Sequence, residues 1–356
     1  QQIIEQALSM EWDTALIGLY AECRGADPVR QIERAEQWLQ SNQRDAVLLL
    51  TLAPVAAGAQ DYPSRPIRLL IHTPPGSLVD VLGRLVGQEL GQRLGQSFVA
   101  DNRTGGATMI AVEQLIRSPA DGYTLMITSP EATMQPFLKK SYQYDPIKDF
   151  TPIALVVTSW TVFAVNPKVP ANTLPELVAY SKTHPVRYGS GGIGGVLHIA
   201  GEMLRLKSGG NFVHVPYRGG AQAATDAIAG QIEMVSMGLA STRIAESGQL
   251  KILAQTGPSR HPMLPDVPTT AEGGLPDVRM ETWFGLAGPP NMPKEIVARI
   301  NRELAEVVKQ PAFQDRLSKL GMAVDFKPDA QFVSFLAEET KRWRELIPAM
   351  GIQPVD

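Results

Sequence analysis

From Pro66 onward the apolar positions alternate between two rhythms. Runs of three to six β-branched and aliphatic residues predict strands at Ile67–Ile71, Ser97–Asp101, Tyr123–Thr128, Thr161–Val165, Arg187–Gly189, Phe212–Val215, Ile232–Met237 and Leu250–Gln255. Longer stretches with apolar residues three and four apart predict helices at Val79–Leu94, Ile110–Arg117, Leu174–Thr183, Val196–Lys207 and Ala221–Ala229. The C-terminal part predicts three more, Lys294–Lys309, Pro311–Leu320 and Ala330–Met350. Strands alternating with helices of this length imply an α/β fold: a parallel or mixed sheet with helices on both faces. No internal repeat is visible beyond this shared grammar.

The first sixty residues obey different rules. Trp12, Ala15, Leu16, Leu19 and Tyr20 share one helical face, and Ile32, Ala35, Trp38 and Leu39 share another, with Gly25-Ala26-Asp27-Pro28 as the turn. Residues 1–45 therefore predict a short all-α hairpin, weakly similar to a tetratricopeptide repeat, and expected to be foreign to the body of the chain. A lone repeat of this kind cannot bury its own face. The apolar stretch Ala46–Ala59 is too short to span a bilayer and ends in Ala57-Gly58-Ala59, a small-x-small pattern that signal peptidase reads. Either it is a buried helix or it is a leader for export to the periplasm, cleaved between Ala59 and Gln60; the abrupt change to strand-forming sequence favours export.

A chain of 356 residues exceeds one ordinary domain, and a hydrophobic fraction of 44% supplies two cores. The net charge of −3 is uneven, because residues 1–45 hold eight acidic and four basic side chains. Residues 60–356 are thus close to neutral, at +1. No long basic run is present, which excludes nucleic acid as a partner by electrostatics. Any anion must then be held by local dipoles and not by a broad positive field. Cys23 is the single cysteine, so no intrachain disulfide is possible. Five scattered histidines without metal-ligand spacing supply no metal motif.

Three glycine-rich loops sit where a predicted strand meets a predicted helix: Pro74–Ser77, Gly189–Gly195 and Tyr217–Ala221. At such junctions the first backbone N–H groups of the helix lack internal partners, and the helix dipole favours negative charge. Glycine lets a carboxylate approach the backbone closely. Several junctions facing one cleft would hold a dicarboxylate without any lysine. Taken singly, each loop is equally well read as a tight turn. The loop 189–195 is followed by no Lys-Ser/Thr, so it is not a phosphate loop, and no acidic residue ends the next strand, so it is not a dinucleotide fingerprint. No cofactor is implied.

The loops together match a family. The body, from about Tyr62 to Asp356, resembles the Bug or TctC-like periplasmic solute-binding receptors of tripartite tricarboxylate transporters. The resemblance rests on YPSRPIRLLI at 62–71, PPGSLVDVLGRLVGQELGQRLGQ at 74–96, DNRTGGA at 101–107 and ADGYTLMITS at 120–129. It continues with YDPIKDFTPIALV at 144–156, HIAGEML at 198–204, HVPYRGGAQAATDAIAGQIEM at 214–234, LPDVPTTAEGGLP at 264–276 and WFGLAGP at 283–289. It implies two Rossmann-like lobes joined by two crossing strands and closing on a ligand, the type II periplasmic-binding-protein fold. The lobes are expected at 61–161 plus 284–356 and at 162–283, hinged near Trp160–Val162 and Glu281–Phe284. It also implies a small carboxylate ligand, membrane subunits of a transporter as partners, no cofactor and no catalysis.

Residue by residue, the resemblance assigns Pro75, Gly76 and Ser77 to the first-lobe carboxylate loop. Asp80 matches the acidic residue at the start of the following helix, where it is equally well read as a helix N-terminal charge. Ser129 matches a hydroxyl ending the third strand. Ser190 and Gly191 lie in one second-lobe loop, with His198 in the helix after it as a packing or capping histidine. Pro216, Tyr217, Arg218, Gly219 and Ala221 form the loop whose N–H groups would grip a second carboxylate. Departures from the family pattern are His72-Thr73 in place of Phe-Pro, Leu78 and Val79 in place of small polar residues, Pro130-Glu131 in place of hydroxyls, and Met237 in place of Asp. They imply a less polar ligand than citrate, such as an aromatic or alkyl carboxylate, and Glu131 would repel an anion if it pointed inward. Two other readings remain open at this point, a periplasmic ligand sensor and a serine hydrolase. The hydrolase would use Ser190 with His198 or His214 and Asp226, but no G-x-S-x-G elbow surrounds Ser190.

Overall fold

A computed structural model describes residues 62–142, 144–242 and 248–354. The hairpin expected over 1–45, the leader expected over 46–60 with its cleavage point, and Cys23 lie outside the described residues. The chain divides into two compact units, Gln1–Ser64 and Arg65–Asp356; the second carries the architecture below.

Among the described residues ten strands form one sheet: eight follow one another in a continuous hydrogen-bonded path, and two more pair with its central strand. At one end β1 (Ile67–Ile71) lies between β2 (Phe98–Asn102) and β3 (Thr124–Thr128), all parallel. At the other, β5 (Val186–Ser190) lies between β6 (Phe212–Pro216) and β7 (Met234–Gly238), again parallel. Between these triplets runs β4 (Thr151–Val165), fifteen residues long and buried along almost its whole length. Its first part pairs antiparallel with β9 (Glu281–Gly288) on one side and β10 (Met322–Pro328) on the other. Its last part pairs with β7 and with β8 (Lys251–Gln255). The change of partners falls between Trp160, opposite Glu281, and Thr161, opposite Gly238.

Among the described residues nine α-helices accompany the strands, and those between parallel neighbours form βαβ crossovers. They are α1 (Leu78–Leu94), α2 (Met109–Ile116), α3 (Glu131–Leu138), α4 (Leu174–Ser181), α5 (Val196–Ser208), α6 (Gly220–Ala229), α7 (Lys294–Val307), α8 (Pro311–Lys319) and α9 (Asp329–Ala349). The cores are separate. Leu70, Val112, Leu115, Met126 and Phe150 pack around β1 and β3. Phe163, Tyr188, Ile199, Met203 and Phe212 pack around β5, and Trp343 and Ile347 of α9 join them. Helix α9 thus ties the C-terminus to the second triplet of strands.

Three elements depart from the sequence pattern. The strand expected at Thr161–Val165 begins ten residues earlier, because Pro152 and the polar pair Thr158-Ser159 interrupt the apolar reading. Ser159 is accommodated by donating its hydroxyl to the Gly321 carbonyl at 2.6 Å. Strands β9 and β10 were not read from the local pattern, since each mixes polar and apolar positions and is defined by its pairing to β4. Helix α3 was not expected either, because Pro136 stands inside it. Proline offers no N–H to the carbonyl four residues back, here Ala132. The Tyr144 hydroxyl takes that place, donating to the Ala132 carbonyl at 2.7 Å. The helix survives its proline because a buried side chain replaces the missing donor.

Candidate functional site

The carboxyl ends of β1, β3, β5 and β7 meet around a cavity of about 350 Å³. Its wall combines His72, Thr73, Leu78, Val79 and Glu131 from the first triplet's side with Gly191, Gly192 and Gly195–His198 from the second. Gly238 and Ser241 after β7, and Thr282 and Phe284 of β9, complete it. At roughly 30 Å³ per molecule of liquid water, the space equals about a dozen waters, which suits a small organic ligand.

The β1–α1 loop is held from below. Ser77 caps α1, its hydroxyl accepting the Asp80 N–H at 3.3 Å and lying 2.6 Å from the Thr73 hydroxyl. Gly76 adopts φ +81, a conformation that side chains disfavour, and donates its N–H to the Asp80 carboxylate at 2.9 Å. Arg84 and Asn102 also donate to that carboxylate, and Asn102 reaches the Thr73 carbonyl. Arg84 above all holds the Asp80 carboxyl down to about 2, against the cost of its burial. Asp80 therefore braces the loop and is fully engaged in doing so. Pro75 and Gly76 are exposed, while their neighbours Thr73, Leu78 and Val79 form the wall.

Across the cavity, α5 and α6 start from Gly195 and Gly219 with no side chain capping either. Helix α1, by contrast, spends Ser77 on its cap. Val196, Leu197 and His198, the first residues of α5, face the cavity. The uncapped N–H groups and the dipole there favour an anion. Gly191 fits against the β6–α6 loop so closely that a Cβ would come within 3.3 Å of the Gly220 nitrogen. Tyr217 donates its N–H to the Ser190 carbonyl at 3.1 Å, and its hydroxyl to Asp226 at 2.9 Å. Pro216, Arg218 and Ala221 are exposed beside this contact.

A buried polar cluster supports the second wall. The His198 ring accepts the Gly194 N–H at Nδ1, 3.1 Å, so this ring is neutral with its proton on Nε2. Its ring centroid lies 4.0 Å from that of His214, with the rings tilted by 37°, and His214 Nε2 is 2.7 Å from the Ser190 hydroxyl. Burial lowers both histidines to about 4, with Arg205 adding to the effect at His198 and His198 adding to it at His214. Tyr188 donates to Glu202 at 2.7 Å, and burial raises its phenol. Ser190 and His214 have the spacing of a nucleophile and its base. Ser190, however, is wholly buried and shares its hydroxyl with the Gly192 carbonyl, and no carboxylate accepts from His214. The pair holds the loop.

On the first wall, Ser129 is buried and donates to Glu131 at 2.7 Å, with His72 Nε2 3.1 Å away. Burial lowers the His72 ring, opposed by the nearby Glu131. Of the residues expected to contact ligand, Gly191 forms part of the wall; the remainder adjoin or brace it. Phe284, Thr282, Gly238 and Ser241 also line the cavity and were not named as such from the sequence. Thr282 and Phe284 fall in the stretch expected to cross between lobes, whereas nothing in the sequence pointed to Gly238 and Ser241.

Comparisons with known proteins agree with this geometry. A family model described as the tripartite tricarboxylate transporter family receptor matches residues 82–352. The chain belongs to that family. BugT of Bordetella pertussis is 30% identical over 305 residues, covering 84% of this chain and 93% of that protein. Among solved structures, R. palustris Rpa4515 with adipate shares 29% identity at a TM-score of 0.75, over 83% of this chain and all of that one. The periplasmic binding protein BugD shares 28% at a TM-score of 0.72, also over 83% of this chain and all of that one. The receptor's fold is thus the α/β fold of periplasmic binding proteins that the sequence implied.

Proposed function

We propose that this receptor captures a small carboxylate in the periplasm and presents it to the membrane subunits of a tripartite tricarboxylate-type transporter, without altering it chemically. One observation carries the reading. The cavity is walled from both triplets of strands by strand-to-helix junctions, two of which leave helix N-termini uncapped. Family membership and the adipate held by Rpa4515 support a carboxylate as the occupant. In this reading the lobes are 61–161 plus 284–356 and 162–283, and they turn about β4 and β9 near Trp160–Val162 and Glu281–Phe284. Closure brings Pro75–Ser77 and Pro216–Ala221 onto the ligand beside Gly191. The export segment is cut between Ala59 and Gln60, which N-terminal sequencing of secreted protein checks. Among the described residues no helix is long and apolar enough to cross a membrane.

The wholly buried Ser190 disfavours the hydrolase alternative, because no substrate carbonyl reaches its hydroxyl. Thermal unfolding with a panel of carboxylic acids tests the proposal. A ligand at one hundred times its Kd stabilises by about 2.7 kcal/mol, and small-angle scattering of the same complex is expected to show compaction. Absence of both effects across the panel refutes capture between lobes.

A further inference from the structure

Among the described residues no lysine or arginine lines the cavity. Its ionisable side chains are His72, His198 and Glu131. His198 is neutral by its hydrogen bond from Gly194, and His72 is buried against the Ser129 hydroxyl. That leaves the Glu131 carboxylate. One of its oxygens accepts from Ser129, and the other has no hydrogen-bond partner among the described residues. The remaining wall on this side is Leu78, Val79 and Phe284, with the uncharged Thr73 and Thr282 beside them. A ligand carboxylate set against Glu131 would meet like charge in a confined space, with no cation among the described lining residues. The opposite wall, by contrast, offers the uncapped start of α5.

We propose that the ligand is a monocarboxylate whose far end carries an N–H donor, amine or amide, received by Glu131, while its carboxylate lies at the start of α5. The inference rests on the receptor reading above and narrows it: the site discriminates between the two ends of its ligand, and symmetric dicarboxylates are poor occupants. Specificity of this kind comes as much from the repulsive pairing as from the attractive one. Leu78 and Val79 cover the apolar middle of such a ligand.

Calorimetry on the whole protein with matched pairs tests the idea. The pairs are adipate and 6-aminohexanoate, succinate and 4-aminobutyrate, and terephthalate and 4-(aminomethyl)benzoate, with adipic monoamide as the uncharged donor. The amine or amide member of at least one pair is expected to bind about tenfold more tightly than its dicarboxylate, about 1.4 kcal/mol. Glu131→Gln is expected to remove that preference by about tenfold, chiefly by improving the dicarboxylate. Tighter binding of dicarboxylates by the unaltered protein, or a preference that Glu131→Gln leaves unchanged, overturns the inference while leaving the receptor reading intact. No binding by any carboxylate in the set overturns both.

Discussion

Acidification is expected to destabilise the receptor well above the range where its carboxylates protonate. The cause is the cluster under the second wall. Burial holds His198 and His214 at about 4 in the folded chain, whereas an unfolded histidine titrates near 6.5. Below pH 6.5 the unfolded chain therefore binds more protons than the folded one. The stability from these groups is complete above about pH 6.5 and is lost as pH falls toward 4. At about 1.4 kcal/mol per pH unit, His198 contributes about 3 kcal/mol as an upper bound. His214 is only half-buried, so its share is smaller after solvent screening. Together they amount to roughly 4 kcal/mol. Burial lowers His72 and His261 as well, which adds in the same direction.

The loss has a structural target. A proton on His198 Nδ1 removes the lone pair that accepts the Gly194 N–H, and an imidazolium has no acceptor left. A second proton on His214 would set two cationic rings with centroids 4.0 Å apart. Melting curves at steps between pH 7 and pH 4.5 are expected to fall by several degrees. Asp80, held at about 2 chiefly by Arg84, loses its contribution only as pH falls from about 4 toward 2, so the two windows separate. His198→Gln and His214→Gln are each expected to flatten the upper window. A melting temperature that is level from pH 7 to 4.5, or a slope that both variants preserve, refutes the argument.

Two substitutions probe loop and core independently. Gly219 has extended backbone at φ −175, and a Cβ there would meet nothing within 4 Å. Gly219→Val should therefore keep the melting temperature within about a degree while weakening carboxylate binding by about tenfold or more; unchanged affinity in calorimetry would show that the β6–α6 loop never touches ligand. Gly201 lies on the buried Tyr188 ring, where a Cβ would fall 2.1 Å from Cε2. Gly201→Ala is expected to cost about 1–3 kcal/mol by overpacking, and a denaturant midpoint equal to that of the unaltered chain would contradict the packing.

How much of this was legible beforehand follows from where the information sits. Helix α5 announces itself through an apolar face at Val196, Ile199, Ala200 and Met203, and its observed start matches the expected one. β9 does not, because its pairing with β4 and β3 is a long-range property with no local period. α3 was hidden by a local rule that is correct on its own terms. Pro136 forbids an ordinary helix, and only the distant Tyr144 hydroxyl lifts the prohibition.

The same division governs the site. Glycine-rich junctions are readable because backbone geometry demands glycine, so Gly191 and its neighbours could be named from the chain alone. The direction of a side chain is not encoded in that way. Asp80 and Ser129 match ligand-facing positions by type, yet Asp80 spends its oxygens on Gly76, Arg84 and Asn102, and Ser129 on Glu131 and His72. Each braces the wall from behind. Glu131 is the converse case: the sequence marks it as an acid that would repel an anion if it pointed inward, but it shows neither the helix that carries it nor the direction it takes. Only the convergence of β1, β3 and β5 brings it onto the cavity wall, and on the proposed reading an acid placed there selects what the opposite wall alone would accept without distinction.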